Sequence, residues 1–296
     1  MCDEHSVDDM IELNKRSGDW TRRQLGQAGL GTAAAFLVPA GANAGGKALA
    51  VKEAEISIKT PDGTADTYFV HPASGRHPAA LIWTDILGLR PAFRQMARRL
   101  AESGYSVLVP NPFYRTRPAP IVPPGATLQD EKTRSALFAL MGTLSAQTHL
   151  TDAKAFIAFL DAQPAVNTRR KIATIGYCMG GPIVLRTAGA FASRIGAAAS
   201  FHGGGLVTEK PDSPHLYIKQ MRGQALIAIA DNDDKRSPAD KDLLRQTFAA
   251  ANQPAEIEVY AGAMHGWCPP DSIAYNKDAA EKAWSRMLAM FDKALA

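Results

Sequence analysis

A chain of 296 residues with 46% hydrophobic and 21% charged residues has globular composition, which excludes wholesale disorder. Its net charge of +4 is dispersed in short groups such as Arg98-Arg99 and Arg169-Arg170-Lys171; with no interleaved aromatics, these exclude a nucleic-acid-binding stripe. The three cysteines, Cys2, Cys178 and Cys268, have no short spacing, so neither a disulfide framework nor a cysteine zinc site is indicated.

The first element in chain order is an address. Arg22-Arg23 precedes an apolar run from Leu25 to Val38, followed by Pro39 and the A-x-A-like site Ala42-Asn43-Ala44. This pattern resembles a twin-arginine (Tat) export signal. It predicts a leader over residues 1–44, passage through the Tat translocase, a periplasmic or exported product, and one domain over residues 45–296. The apolar run, about 14 residues, is too short to span a bilayer.

From Ala54 the chain alternates strand and helix patterns. "AEISIKT", the turn "PDGT" and "ADTYFVHP" predict a hairpin. "HPAALIWTD" holds a short apolar run, as a strand buried on both faces requires. "RPAFRQMARRLAESG" carries Phe93, Met96, Ala97 and Leu100 at helical spacing and stops at Gly104. Then follow a strand in "YSVLVPNP", a proline-rich loop from Arg115 to Gly125, and helices from Leu128 to Leu144 and Leu150 to Gln163. "KIATIGYC" is a strand and "GGPIVLRTAGAF" a helix. "IGAAASFHG" and "QALIAIADNDD" are strands; a helix over Asp240–Ala251, the strand "AEIEVYAGA" and a helix over Ala279–Leu295 complete the order. Alternation of this kind predicts an α/β fold: a mostly parallel sheet with helices on both faces and ligands beyond the carboxyl ends of its strands.

One junction carries chemistry. Gly176-Tyr177-Cys178-Met179-Gly180 has the form G-x-C-x-G between a strand and a helix, the setting of a nucleophile elbow. Glycines on either side remove Cβ atoms from a tight turn. The helix N-terminus favours a thiolate, and the Met179 N–H faces the same space as an oxyanion donor. The plainer reading is a small buried cysteine in a glycine-rich turn. A thiol nucleophile needs a base and an orienting acid. His265, in "AGAMHGW", follows the last strand; Asp231, Asp233 and Asp234 follow the strand before it. The order nucleophile, acid, base is that of α/β-hydrolases. His202 follows "AAASF" and reaches the same sheet edge without an acid-bearing loop behind it. His71 and His77 lie in an early turn, and His149 and His215 have no motif around them.

These residues make the chain resemble the dienelactone hydrolase family of α/β-hydrolases, from about Ala54 to the C-terminus. "GYCMGG" is the most specific piece; "WTDILGLR" resembles the family's oxyanion loop, "ESGYSVLVPNPFYR" the stretch after its first crossover helix, and "MHGW" its histidine loop. The resemblance implies lactone or ester hydrolysis by Cys178 as nucleophile, His265 as base and one aspartate as orienter. Counting from Ala230 selects Asp233; counting back from Pro238 selects Asp234. The strand end is the better-defined origin and favours Asp233. Asp85 stands where the family has a glutamate that activates the nucleophile, and the Ile86 N–H would join that of Met179 on the oxyanion. Arg134 resembles one of two arginines that grip a substrate carboxylate. The second position is Pro269, so half of that clamp is missing, with Arg115 or Arg117 as substitutes. Tyr114 and Trp267 are expected as aromatic pocket walls. Cys268 is near enough in sequence to His265 to suggest a Cys178–Cys268 disulfide. No metal or organic cofactor is implied. The substrate is a small lactone or ester, and the protein a monomer or small homo-oligomer. A broader ester, thioester or peptide hydrolase of the same fold is the second reading; a non-catalytic binding protein with a thiol switch is the third.

Overall fold

The computed structural model describes residues 48–123 and 125–296; the twin-arginine segment and its cleavage site lie outside them. Strands β1 (Val51–Thr60) and β2 (Gly63–Pro72) form the expected hairpin, Thr60 opposite Gly63. Next come β3 (Ala79–Trp83), α1 (Pro91–Glu102), β4 (Ser106–Pro110), α2 (Glu131–Met141), α3 (Ala146–Asp161), β5 (Ile172–Tyr177), α4 (Gly180–Ala190) and β6 (Ile195–Phe201). A 3-10 helix (Pro214–Gln220), β7 (Gln224–Ala230), α5 (Asp231–Arg236), α6 (Asp240–Ala250), β8 (Ala255–Tyr260) and α7 (Lys277–Ala294) complete the order.

The eight strands form one sheet in the order β1-β2-β4-β3-β5-β6-β7-β8. The hairpin joins β4 antiparallel, and every pairing from β4 to β8 is parallel. All residues of β3, β4, β5 and β6 are buried, which is why these strands read as unbroken apolar runs rather than alternating ones. The alternation survives in where they point. Ile82 and Val109 join Phe93, Leu100, Met287 and Phe291 under α1 and α7. Leu81, Trp83 and Leu108 join Phe156, Leu160 and Val184 under α3 and α4. These two apolar layers make the fold an α/β-hydrolase type with a β5–α4 elbow at its centre. Among the described residues no helix is long and apolar enough to cross a membrane.

Helix starts differ from the pattern reading because caps outrank periodicity. The Asp130 side chain accepts from the Thr133 N–H and starts α2 at Glu131 rather than Leu128. A reciprocal Ser145–Thr148 capping box starts α3 at Ala146 rather than Leu150. The Asn276 side chain accepts from the Ala279 N–H and starts α7 at Lys277. The aspartate-rich stretch after β7, read as a loop, is a helix of its own, α5.

Candidate active site

Trp83 of β3 lies opposite Gly176 of β5, and Tyr177 opposite Phe201 of β6. This register brings the loops after β3, β5 and β6 to one edge, and the loops after β7 and β8 reach the same edge. The turn after β5 is tight. A Cβ at Gly176 would sit 2.2 Å from the Gly180 carbonyl oxygen, and one at Gly180 would sit 2.4 Å from that of Trp83. Cys178 is left-handed, with φ +52°, a conformation that costs a non-glycine residue about 1–3 kcal/mol. It is held from both sides: its N–H donates to the Phe201 carbonyl (3.0 Å) and to His202 Nδ1 (3.1 Å), and its carbonyl accepts from the Gly181 N–H (3.0 Å). The side chain stands at the start of α4, at the positive end of that helix. Cys178 and Met179 pack with Ile86, Phe113, Leu137 and Met141, so α2 covers the apolar side of the turn.

His265 is buried, and its Nδ1 lies 2.7 Å from Asp233 Oδ2. Its other side meets Cys178 in a hydrogen bond. Burial disfavours a charged ring. The Asp233 carboxylate, the Cys178 charge and hydrogen bonds to both outweigh that, and hold the His265 imidazolium well above the ordinary histidine range. The loops beneath them are stitched together. The His265 N–H donates to Asn232 Oδ1 (2.8 Å), and the Asp231 N–H donates to the Ala263 carbonyl (2.9 Å). Of the acids open in the sequence, Asp234 faces Lys241 Nζ (2.8 Å) and Asp231 faces Lys235 Nζ (2.6 Å). Asp233 is the one on the histidine.

His202 is a site residue that sequence order passed over. It is fully buried, with φ +40°. Because its Nδ1 accepts the Cys178 N–H, its proton sits on Nε2, a buried donor without a partner among the described residues. Its ring meets His265 and Trp267 edge-on, at 5.1 and 5.0 Å between centroids. Burial and the neighbouring His265 charge keep it neutral, its pKa well below the ordinary value. The signal available in sequence was a histidine one residue past a central strand. The left-handed backbone that turns it under the elbow was not visible.

Several expectations need correction. The Asp85 carboxylate makes its bonds with Arg90 and the Leu87 N–H, not with Cys178. Arg90 grips it with both terminal nitrogens (2.6 and 2.9 Å), and the Leu87 N–H lies at 2.9 Å. Arg90 also binds Asp271 at 2.7 and 2.9 Å. Tyr114 is no pocket wall: its hydroxyl donates to Asp152 (2.8 Å), contacts Thr60 (2.7 Å), and its ring packs with Phe69 and Trp83. Trp267 stacks on Tyr260 (5.1 Å, 20°) and supports His202 from the core. Arg115 is committed to Asp62 and Asp152, and Arg117 to the Ile121 carbonyl. Arg134 lies on α2 and is not among the residues that line the cleft over Cys178. Cys178 and Cys268 are both free thiols. Cys268 packs with Tyr177 and Phe201 and lines a different cleft, and burial pushes its thiol well up. Ile86 lines the cleft over Cys178, as its position in the loop after β3 requires.

That cleft is narrow and open at its mouth, with about 90 Å³ of space for the centre of a water-sized sphere. Cys178, His202 and His265 form its floor; Ile86, Leu87, Leu128 and Ile273 contribute to its walls. Among the described residues no three His, Cys, Asp or Glu side chains group to hold a metal ion.

The carboxymethylenebutenolidase of Rhodococcus opacus is 28% identical over 252 residues, spanning 82% of this chain and 93% of its own. That of Pseudomonas putida is 26% identical over 234 residues, spanning 79% and 93%. A dienelactone hydrolase-like promiscuous phosphotriesterase from metagenomic libraries superposes with a TM-score of 0.68 at 20% identity, covering 83% of this chain and all of that one, and supports the fold. The model of the dienelactone hydrolase family matches residues 65–295, from β2 to the last residues of the chain, and the chain belongs to that family of lactone and ester hydrolases.

Proposed function

We propose that the protein hydrolyses a lactone or carboxylic ester, with chemistry of the carboxymethylenebutenolidase kind, through Cys178, His265 and Asp233. The observation that carries this reading is His265, hydrogen-bonded to Asp233 on one side and to Cys178 on the other. The Cys178 thiolate adds to the ester carbonyl carbon. The oxyanion forms beside the N–H groups of Met179 and Ile86. The C–O bond to the leaving oxygen breaks as His265 gives up its proton to it. Water, deprotonated by His265, then cleaves the thioester and returns the thiol. Asp233 fixes the ring tautomer and stabilises the imidazolium.

Iodoacetamide should abolish turnover of a chromogenic ester by labelling Cys178 rather than Cys268, with a competing ester slowing the labelling. Cys268, buried with its thiol pushed well up, should stay unmodified in the peptide map. Turnover that survives complete labelling of Cys178 would sink the thiol mechanism.

Export belongs to the same proposal. The leader with Arg22-Arg23 directs the folded enzyme through the Tat translocase to the periplasm, either as a monomer or as a small homo-oligomer. Cell fractionation of the chain carrying Arg22→Lys and Arg23→Lys should show it held in the cytoplasm. An unchanged distribution would end the export reading.

A further inference from the structure

We infer that the cleft takes uncharged esters or lactones with an apolar body and discriminates against carboxylate-bearing ones. The inference rests on the proposed thiol hydrolase and adds its substrate class.

Among the described residues lining the cleft, Arg90 is the sole lysine or arginine. A guanidinium has five N–H donors, and all five are spent. Nε and one terminal nitrogen donate to Asp271 (2.7 and 2.9 Å), both terminal nitrogens donate to Asp85 (2.6 and 2.9 Å), and the fifth bond reaches the Gly88 carbonyl (3.4 Å). A substrate carboxylate would have to displace one of these partners. The group it would meet, two carboxylates around one guanidinium, carries a net charge of −1. Asp85 and Arg90 are largely shielded from water, with side chains 12% and 10% exposed, while Asp271 is 44% exposed, so water and salt screen part of the repulsion.

The other cations the sequence offered do not relieve this. Arg115 is held by Asp62 and Asp152, Arg117 bonds the Ile121 carbonyl, and Arg134 is not on the cleft wall. The position after the histidine loop where a second arginine was sought is Pro269. His202 stays neutral and offers no charge, and the charge of His265 is already met by Asp233 and Cys178.

The remaining wall is apolar where a substrate enters. Ile86, Leu87 and Leu128 line it, and Ile273 stands at the cleft 47% exposed, a large hydrophobic side chain left in water. Covering that side chain by an apolar acyl or alcohol group is favourable; a charged group placed there would gain nothing.

The test compares para-nitrophenyl butyrate with mono-para-nitrophenyl glutarate near neutral pH, each kcat/KM divided by the ester's hydroxide rate. The wild type should favour the neutral ester by about tenfold or more, the scale of one missing charge-assisted hydrogen bond. Raising the salt concentration should narrow the gap. Asp271→Ala frees one edge of Arg90 and should raise kcat/KM for the anionic ester several-fold relative to the neutral one, with circular dichroism checking the fold. Equal or better turnover of the anionic ester by the wild type would overturn the substrate class while leaving the hydrolase reading intact. Turnover of neither ester, with Cys178→Ala equally inert, would overturn the hydrolase reading and this inference together.

Discussion

Cys178→Ala is expected to lower kcat/KM for an activated ester by about 10³-fold or more. The expectation follows from where the thiol sits. It occupies a left-handed turn braced by Phe201 and His202, at the start of α4, bonded to His265. Alanine keeps the turn and its backbone bonds but removes the only group there that can form an acyl intermediate. The fold should persist, since the side chain is small and the φ angle equally open to both residues. Cys178→Ser should fall between the two. The hydroxyl retains the hydrogen bond, but it holds its proton far more tightly than a thiol, so each attack must wait for His265 to remove it. Steady-state rates and acyl-enzyme trapping on the three proteins check this. An alanine variant within tenfold of the wild type would mean that another group performs the attack.

Asp233→Asn should cost about 10²–10⁴-fold in kcat with little change in KM. An amide still reaches His265 Nδ1, but it no longer selects the tautomer or stabilises the cationic ring. The neighbouring Asp234→Asn gives the contrast. Its partner is Lys241 in a half-buried pair, so its loss should change stability by less than about 1 kcal/mol and leave kcat near the wild-type value. Equal losses in the two variants would remove Asp233 from its assigned role. Iodoacetamide labelling of Asp233→Asn adds an independent readout: with the imidazolium less stable, alkylation of Cys178 should slow.

What the sequence disclosed and what it withheld separate along physical lines. The sheet was legible because its central strands are buried on both faces and admit only apolar residues, as "AALIW" and "IATIGY" show. The elbow was legible because Gly176 and Gly180 have no room for a Cβ. His265 and the aspartate cluster after β7 were legible from chain order, since loops at the carboxyl ends of adjacent parallel strands must meet; which aspartate reaches the ring was left between Asp233 and Asp234. Side-chain partners across long separations were not legible. Arg90 and Asp271 are 181 positions apart, and nothing local marks the aspartate as the one that occupies the arginine. Tyr114 and Trp267 read as pocket walls because aromatic residues beside a site suit packing and binding equally well. The faces of the sheet decided for packing. His202 was undervalued because its role depends on a φ angle rather than on its neighbours in sequence.

The stitch between the loops after β7 and β8 has a consequence for how this enzyme can change. Asp233 and His265 hang from one small unit, tied by the bonds from His265 to Asn232 and from Asp231 to Ala263. Most of the cleft wall comes from elsewhere: the loop after β3, the segment leading into α2, and residues 271–273. Substitutions in those segments alter what is bound without tilting the imidazole. The protein is in this sense modular: Asp233 and His265 share one frame, and most of the cleft wall is carried on others. Variation in substrate range should accumulate at that wall, at positions such as Leu87, Leu128 and Ile273, long before it disturbs the frame.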